Sequence, residues 1–255
     1  MNTSSMHLNL LTLYFITVSL TGLVLLAVLV FISSPSNATI PWQKTFVYLI
    51  FILICFLGIM AGIFPSKCLK MIRSQKTVQS NGLNQEEIEE IGGKARTGNT
   101  GVKSREIEGH HPDCGNFSAH VFKLGDKTYC AGCTGLILGA MISIFSAVIY
   151  VLEGWFLGKN GIFIFWLGFM GVSVGLFYSS LFNIRWSFTR FFSNMFFVLG
   201  AFFILVGIET INGSLFIELY FLALVFILIL NRILLSERKH EIICTSCSIE
   251  ACSFY

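Results

Sequence analysis

Residues 109–153 read GHHPDCGNFSAHVFKLGDKTYCAGCTGLILGAMISIFSAVIYVLE, and in them a segment rich in Cys and His runs directly into a long apolar stretch. A helix of roughly 20 apolar residues crosses the ~30 Å hydrocarbon core of a membrane, so the apolar stretch predicts a transmembrane helix over 134–153. The whole chain is comparably apolar, since hydrophobic residues make up 55% of its 255 residues, charged residues 12%, and the mean hydropathy is +0.76. This composition excludes an ordinary soluble domain.

Hydropathy predicts an all-α polytopic membrane protein with about six transmembrane helices. The apolar stretches that define them are 8–32, 44–64, 134–153, 161–182, 191–211 and 215–235. The first stretch has no Lys or Arg before it, no small-x-small cleavage site and too long an apolar run for a signal peptide. It is therefore predicted to be a retained helix.

The distribution of basic residues predicts which side of the membrane each end faces. With six helices, Lys44 and Lys159 fall on one side, and the other fifteen of the seventeen Lys and Arg residues fall on the opposite side. Because basic residues near helix ends are enriched in cytoplasmic loops, the N- and C-termini are both predicted to be cytoplasmic. The net charge of +3 lies mainly on this inner face, which favours anionic lipid headgroups over nucleic acid as the electrostatic partner.

This topology decides how the cysteines are interpreted. Cys55 lies in the middle of a predicted helix and is interpreted as a small buried apolar residue. The other seven of the eight cysteines fall on the cytoplasmic side, where thiols are kept reduced and disulfides are rare. Metal binding or thiol chemistry is therefore favoured over a disulfide framework.

Four of the ligand-type residues have the spacing of a metal site. His111 and Cys114 have two residues between them, Cys130 and Cys133 have the same spacing, and fifteen residues separate the two pairs. Zinc takes four nitrogen or sulfur ligands in a tetrahedron, and a two-residue spacing lets a tight turn direct both side chains of a pair to one ion. The sequence predicts a zinc site at these four residues, in which His110 or His120 could replace His111.

The residues between the two pairs predict a short β-hairpin. Apolar and polar residues alternate in HVFKLGDKTYC on both sides of Gly125-Asp126, a dipeptide typical of hairpin turns. Two Cys/His pairs joined by a hairpin have the layout of a zinc ribbon. A Cys-x-x-Cys motif can instead be a redox pair, but that use expects the motif at the start of a helix in a βαβ unit, and here Thr134 leads into a membrane helix.

These residues resemble a known family. HHPDC, followed by a Phe and a His and then by YCAGCTGLILGA, is similar to an uncharacterised family of predicted membrane proteins, domain of unknown function 2085, with its C-A-x-C-T-G motif before a transmembrane helix. The resemblance covers about 109–140, and Gly132 stands where bacterial members have Arg. It implies a cytoplasmic Cys/His segment, and it implies no particular activity.

The C-terminal tail, HEIICTSCSIEACSFY, carries further candidate ligands. They could bind a second ion, or two of them could meet Cys130 and Cys133 in one site, and the same thiolates would suit an iron–sulfur cluster. A disordered tail with unligated thiols is the alternative. These candidates are His240, Cys244, Cys247 and Cys252.

Composition divides the chain into five segments. They are a two-helix membrane anchor (1–73), a flexible polar linker (74–108), the Cys/His module (109–133), a four-helix membrane domain (134–236) and the Cys-rich cytoplasmic tail (237–255). Within the helices, small-x-x-x-small pairs of glycines predict close helix packing or self-association into a homo-oligomer. The pairs are Gly135 with Gly139 and Gly171 with Gly175.

The function predicted from the sequence is a structural metal site on a membrane protein, with a scaffold role or docking of a protein partner at the cytoplasmic face. No catalytic residue is nominated, so an enzyme is disfavoured. The alternative is a membrane-bound thiol or iron–sulfur redox protein. A transporter is disfavoured because the acidic residues Glu153, Glu209 and Glu218 fall near helix ends and not at mid-membrane depth.

Overall fold

The structure is a computed structural model that describes residues 3–34, 41–63, 120–124, 127–153, 160–178 and 186–245, with side chains over 13–34, 42–63, 120–121, 129–153, 160–177 and 186–236. These residues form helices and one two-stranded sheet. In chain order the elements are α1 (Thr3–Ile32), α2 (Pro41–Ile63), β1 (Val121–Leu124), β2 (Lys127–Cys130), α3 (Ala131–Glu153), α4 (Gly161–Ser173), α5 (Ser187–Ile211) and α6 (Leu215–Thr245). α4 continues into a π-helical segment, Val174–Tyr178.

Five helices of the described chain are long and apolar enough to cross a membrane: Leu13–Ile32, Trp42–Ile63, Ala131–Glu153, Ser187–Ile211 and Leu215–Ser236. The length and composition of these helices confirm the coarser part of the prediction, a mainly α-helical protein with several membrane-spanning helices. The sixth predicted span, 161–182, contains a shorter apolar helix, Gly161–Phe177, and residues 179–185 lie outside the described residues. Large apolar side chains on the outer helix faces are exposed, as expected for surfaces that meet lipid.

α5 lies at the centre of the bundle, where it packs against α3, α4 and α6. The contacts are close because glycines line them. Gly139 of α3 lies against Met195, and a Cβ added to Gly168 of α4 would be 2.6 Å from the Gly200 carbonyl oxygen of α5. Small residues let membrane helices approach in this way, so the predicted glycine pairs serve packing within the chain.

The first two helices pack against the later ones. α2 lies on α3, and α1 lies along α6. Two hydrogen bonds join α1 to α6. Asn231 Nδ2 donates to Ser19 Oγ at 3.2 Å, and Tyr220 Oη donates to the Gly22 carbonyl at 3.2 Å. The boundary predicted at residue 73 and the predicted linker 74–108 lie outside the described residues, so the division into five segments stays a prediction.

The bundle has two distinct ends because the helices alternate in direction. The end that we call the hairpin end carries the β-hairpin, the ends of α2 and α6, and the starts of α3 and α5. The opposite end carries the α5–α6 turn, where Gly213 has φ 61°, a left-handed conformation that glycine adopts without strain. Asn212 in this turn donates to the Ser33 carbonyl at 2.9 Å, which places the end of α1 there as well.

The predicted hairpin is confirmed. β1 and β2 are antiparallel, with Val121 opposite Cys130 and Leu124 opposite Lys127. This register leaves two residues, Gly125 and Asp126, between the paired ends of the strands, and both lie outside the described residues. The hairpin therefore delivers Cys130 directly to the start of α3.

Candidate functional site

The two cysteines of the CAGC motif lie together where the hairpin becomes a helix. Cys130 is the last residue of β2, α3 begins at Ala131, and Cys133 falls in the first turn of that helix. Both side chains are half-buried and line one cavity. Thr134 Oγ1 donates to the Cys130 carbonyl at 2.9 Å, which fixes the first turn of the helix.

His120 stands beside this pair. It immediately precedes β1, and only 7% of its surface is exposed. Its Nδ1 lies 3.3 Å from Nη1 of Arg190 near the start of α5. Since a guanidinium has only donors, Nδ1 accepts in this contact, and the imidazole carries its proton on Nε2.

These side chains share one cavity of about 230 Å³ at the hairpin end. Its polar lining consists chiefly of His120, Cys130, Cys133, Arg190 and Arg232, with Asn194 beside them. The remaining walls are largely apolar and come from α2, α3, α6 and the π-helical segment. The cavity is therefore larger than one metal ion needs, and it combines thiols with two guanidinium groups.

Arg232 of α6 is held by the π-helical segment. Its Nη1 donates to the Gly175 carbonyl at 2.5 Å, and its guanidinium lies 5.2 Å from the centre of the Phe197 ring. Ser193 Oγ donates to the same carbonyl at 3.3 Å. A π-helical turn shifts the backbone hydrogen-bond pattern of a helix and is frequent at functional sites, and here its carbonyl fixes a cation at the cavity wall.

The structure brings together some of the predicted ligands. One cavity is lined by Cys130, Cys133 and His120. Among the described residues, no group of three or more His, Cys, Asp or Glu is placed to hold one metal ion, so the complete zinc site is not part of the described structure. His110, His111, Cys114, Cys247 and Cys252 lie outside the described residues, and His240 and Cys244 lie on α6 without described side chains.

The role of Arg232 was missed at the sequence level. The distribution of basic residues assigns it to the cytoplasmic side as one more positive charge, yet its side chain lines the cavity between helices. The available signal was Asn231-Arg232, two polar residues inside the apolar run LALVFILILNRILL. Polar residues within a membrane helix usually face protein and not lipid.

A second polar cluster at the opposite end was also missed. Gln43 Nε2 donates to Glu218 Oε2 at 3.1 Å and to the Gly213 carbonyl at 3.0 Å. Beside them, Lys44 Nζ lies 3.5 Å from Glu209 Oε1, and Tyr48 Oη donates to Glu209 Oε2 at 2.9 Å. The sequence locates both glutamates near outer helix ends, but sequence spacing cannot reveal that residues about 170 positions apart meet.

Comparison with known proteins adds no assignment. The chain matches no family model, no curated protein and no solved structure. The resemblance of residues 130–135 to the C-A-x-C-T-G motif of domain of unknown function 2085 therefore stays a prediction.

Proposed function

We propose that this membrane protein carries a structural metal centre at the hairpin end, with Cys130 and Cys133 as two thiolate ligands and with His111 and Cys114 completing a zinc site. The centre would brace the cytoplasmic face or dock a protein partner there. The observation that carries the proposal is that the side chains of Cys130 and Cys133 line one cavity at the hairpin–helix junction. β2 and α3 hold these two candidate ligands near one another, so fewer ligands remain to be ordered when an ion binds.

The contacts of His120 favour His111 as the imidazole ligand. His120 Nδ1 accepts from Arg190, so its remaining nitrogen carries a proton and is not a metal ligand in this tautomer. His120 would have to give up the Arg190 contact to bind the ion. We therefore assign His120 to the cavity wall and keep His111 in the proposed ligand set.

The charges of the described helices support a cytoplasmic location for the hairpin end. Arg190 and Arg232 lie at this end, and Lys44 lies at the opposite end. The positive-inside rule then orients the hairpin and both termini toward the cytoplasm. Thiols in that compartment stay reduced and available to a metal ion.

A dithiol redox function is the second candidate, and one observation favours it. α3 begins at Ala131, so the Cys-x-x-Cys motif follows a strand and opens a helix. A helix start is one of the two features expected of a redox pair, whereas the strand before it belongs to an antiparallel hairpin and not to a βαβ unit. In that function the two thiols lose two protons and two electrons to a disulfide-bearing partner and become one disulfide. An iron–sulfur cluster on the same thiolates is a third arrangement of the same ligands.

Metal content decides between these candidates. The full chain is purified in detergent, and zinc and iron are measured per chain for the parent, for Cys130→Ser/Cys133→Ser and for His111→Ala. We expect one zinc per chain in the parent, lost in the double variant and reduced in His111→Ala. Cys55→Ser is the matched control, because Cys55 is 5% exposed within α2 and should leave the zinc unchanged.

Other outcomes are equally informative. Iron with a visible absorption band would move the assignment to an iron–sulfur protein. If the parent contains no metal and its two thiols convert reversibly between dithiol and disulfide when a dithiol reductant is added and removed, the redox function becomes the better assignment. Zinc that persists in Cys130→Ser/Cys133→Ser would remove both cysteines from the ligand set.

A further inference from the structure

We propose that the cavity at the hairpin end binds an anionic membrane phospholipid, with the headgroup phosphate between Arg190 and Arg232 and the acyl chain along the apolar wall. This proposal does not depend on the metal centre. It rests on the charge of the cavity, on its depth in the bundle and on the composition of its walls.

The described lining of the cavity carries positive charge. Two guanidinium groups line it, and the described lining residues include no Asp or Glu. Arg232 contacts a backbone carbonyl and an aromatic ring, both of which are neutral. A charged group withdrawn from water is costly unless an opposite charge is near it, so an anion in the cavity would be stabilised, and arginine is suited to bidentate binding of phosphate.

The two arginines lie just inside the ends of the apolar segments, close to the level of lipid headgroups. Arg190 is three residues from the start of the span Ser187–Ile211, and Arg232 is four residues from the end of the span Leu215–Ser236. Each therefore lies about one helical turn, or ~5 Å, inside the apolar segment. At this level a phosphate can reach both guanidinium groups while an acyl chain of the same lipid lies along the apolar wall of the cavity.

The walls of the cavity suit an acyl chain. The apolar lining of the cavity includes Gly58 and Ala61 on α2, Leu136 on α3 and Ile229 on α6. The small residues leave room beside α2: a Cβ added to Gly58 would meet only Leu136 Cδ2, at 3.5 Å. A free phosphate ion would use the guanidinium groups and leave this apolar wall unused, which is why we commit to the lipid.

The start of α3 adds to the attraction for an anion. Gly132 lines the cavity in the first turn of this 23-residue helix, where backbone N–H groups and the helix dipole favour negative charge. A Cβ at Gly132 would lie 3.2 Å from Asn194 Nδ2, so the absence of a side chain keeps the helix start close to Asn194. Asn194 Nδ2 in turn donates to the Arg190 carbonyl at 2.8 Å.

An alternative explanation is that the arginines only balance the charge of the thiolates. In that case their loss should reduce metal content or thiol reactivity and leave lipid binding unchanged. The lipid proposal instead expects loss of the arginines to weaken lipid binding. It also expects Cys130→Ser/Cys133→Ser to bind lipid as the parent does, because this variant keeps both guanidinium groups. The lipid site and the metal centre can therefore fail separately.

Native mass spectrometry of the detergent-purified full chain tests the lipid proposal. The probes are dioleoyl phosphatidylglycerol, dioleoyl phosphatidylcholine and inorganic phosphate, each titrated separately. We expect one tightly retained phosphatidylglycerol on the parent and on Cys130→Ser/Cys133→Ser. Binding should weaken at least tenfold in Arg190→Gln/Arg232→Gln and remain in the control Lys44→Gln, whose charge lies at the opposite end.

Two further variants keep the test decisive if the glutamine pair does not fold. Ala61→Leu narrows the cavity without changing its charge and should weaken phosphatidylglycerol binding. Arg190→Lys/Arg232→Lys keeps the charge and should bind more tightly than any glutamine variant that folds. Equal binding of phosphatidylcholine by the parent, unchanged binding in the folded arginine and Ala61→Leu variants, or binding of inorganic phosphate alone would overturn the proposal.

Discussion

Glu218 shows how this chain keeps a carboxyl group inside a helix bundle. Its side chain is 2% exposed, and Gln43 donates to it from α2. Gln43 is itself 6% exposed, and its Nε2 also donates to the Gly213 carbonyl. Because one amide group serves two buried acceptors, its loss would leave both of them short of a donor.

Gln43→Leu should therefore destabilise the protein by about 2 kcal/mol, since a buried acceptor left without a partner costs roughly 1–3 kcal/mol. The measurement is denaturant unfolding in detergent, followed by tryptophan fluorescence. Thr21→Val is the control, because the Thr21 hydroxyl is bonded only to the Thr17 carbonyl of its own helix on an exposed face. Equal unfolding midpoints for the two variants would show that the Gln43 bonds contribute little.

At the scale of elements, the hairpin was predictable, and the start of α3 was not. Alternation around Gly125-Asp126 predicts the hairpin, and the structure confirms it. Hydropathy places the helix start at residue 134, but the helix begins at Ala131, because hydropathy reports where the apolar run begins and not where helical hydrogen bonding begins. The three-residue difference moves Cys133 into the helix, and it is the reason the redox candidate remains.

The α4–α5 contact also depends on Gly168 and Gly200, two glycines that the predicted four-residue spacing does not include. A Cβ added to Gly168 would lie 2.6 Å from both the Gly200 carbonyl oxygen and the Ile204 nitrogen. Backbone atoms cannot rotate away as a side chain can, so the two helices would have to separate. The sequence predicted other glycine pairs by their four-residue spacing, whereas Gly168 and Gly200 are paired only by the fold.

Gly168→Ala should consequently destabilise the protein by about 1–3 kcal/mol, the usual cost of an overpacked core. Gly58→Ala is the matched control, because its Cβ would meet Leu136 Cδ2 at an ordinary 3.5 Å. Thermal unfolding in detergent, followed by circular dichroism at a helical wavelength, compares the two. If Gly168→Ala were as stable as Gly58→Ala, α4 and α5 would not pack as closely as described.

At the scale of the whole molecule, the sequence predicts the spans but not their neighbours. A membrane helix is apolar on most of its surface, so hydropathy locates it without showing which face meets protein. The central position of α5 follows instead from its small and polar residues, among them Gly200, Ser193 and Asn194, which are buried. For the site, spacing predicted the Cys130–Cys133 pair, whereas the cavity and its arginines needed the three-dimensional packing of α5 and α6.

The orientation of the bundle in the membrane gives the last prediction. Asn160 is exposed just before α4, and its neighbour Gly161 lies against Thr210, at the end opposite the hairpin. Ser236 is exposed on α6 at the hairpin end. Since Arg190 and Arg232 lie at the hairpin end, the positive-inside rule places Ser236 in the cytoplasm. An impermeant maleimide applied to intact cells should label Asn160→Cys, and it should label Ser236→Cys only after permeabilisation.

The parent protein, with its native cysteines, gives the background for this labelling. The reversed pattern would put the hairpin end outside, where thiols meet an oxidising environment and Cys130 and Cys133 would form a disulfide more readily than a zinc site. Labelling of both variants in intact cells would contradict the two-ended arrangement of the helices itself. The compartment of the hairpin end therefore decides which chemistry the two cysteines can perform, because metal binding needs them as thiolates.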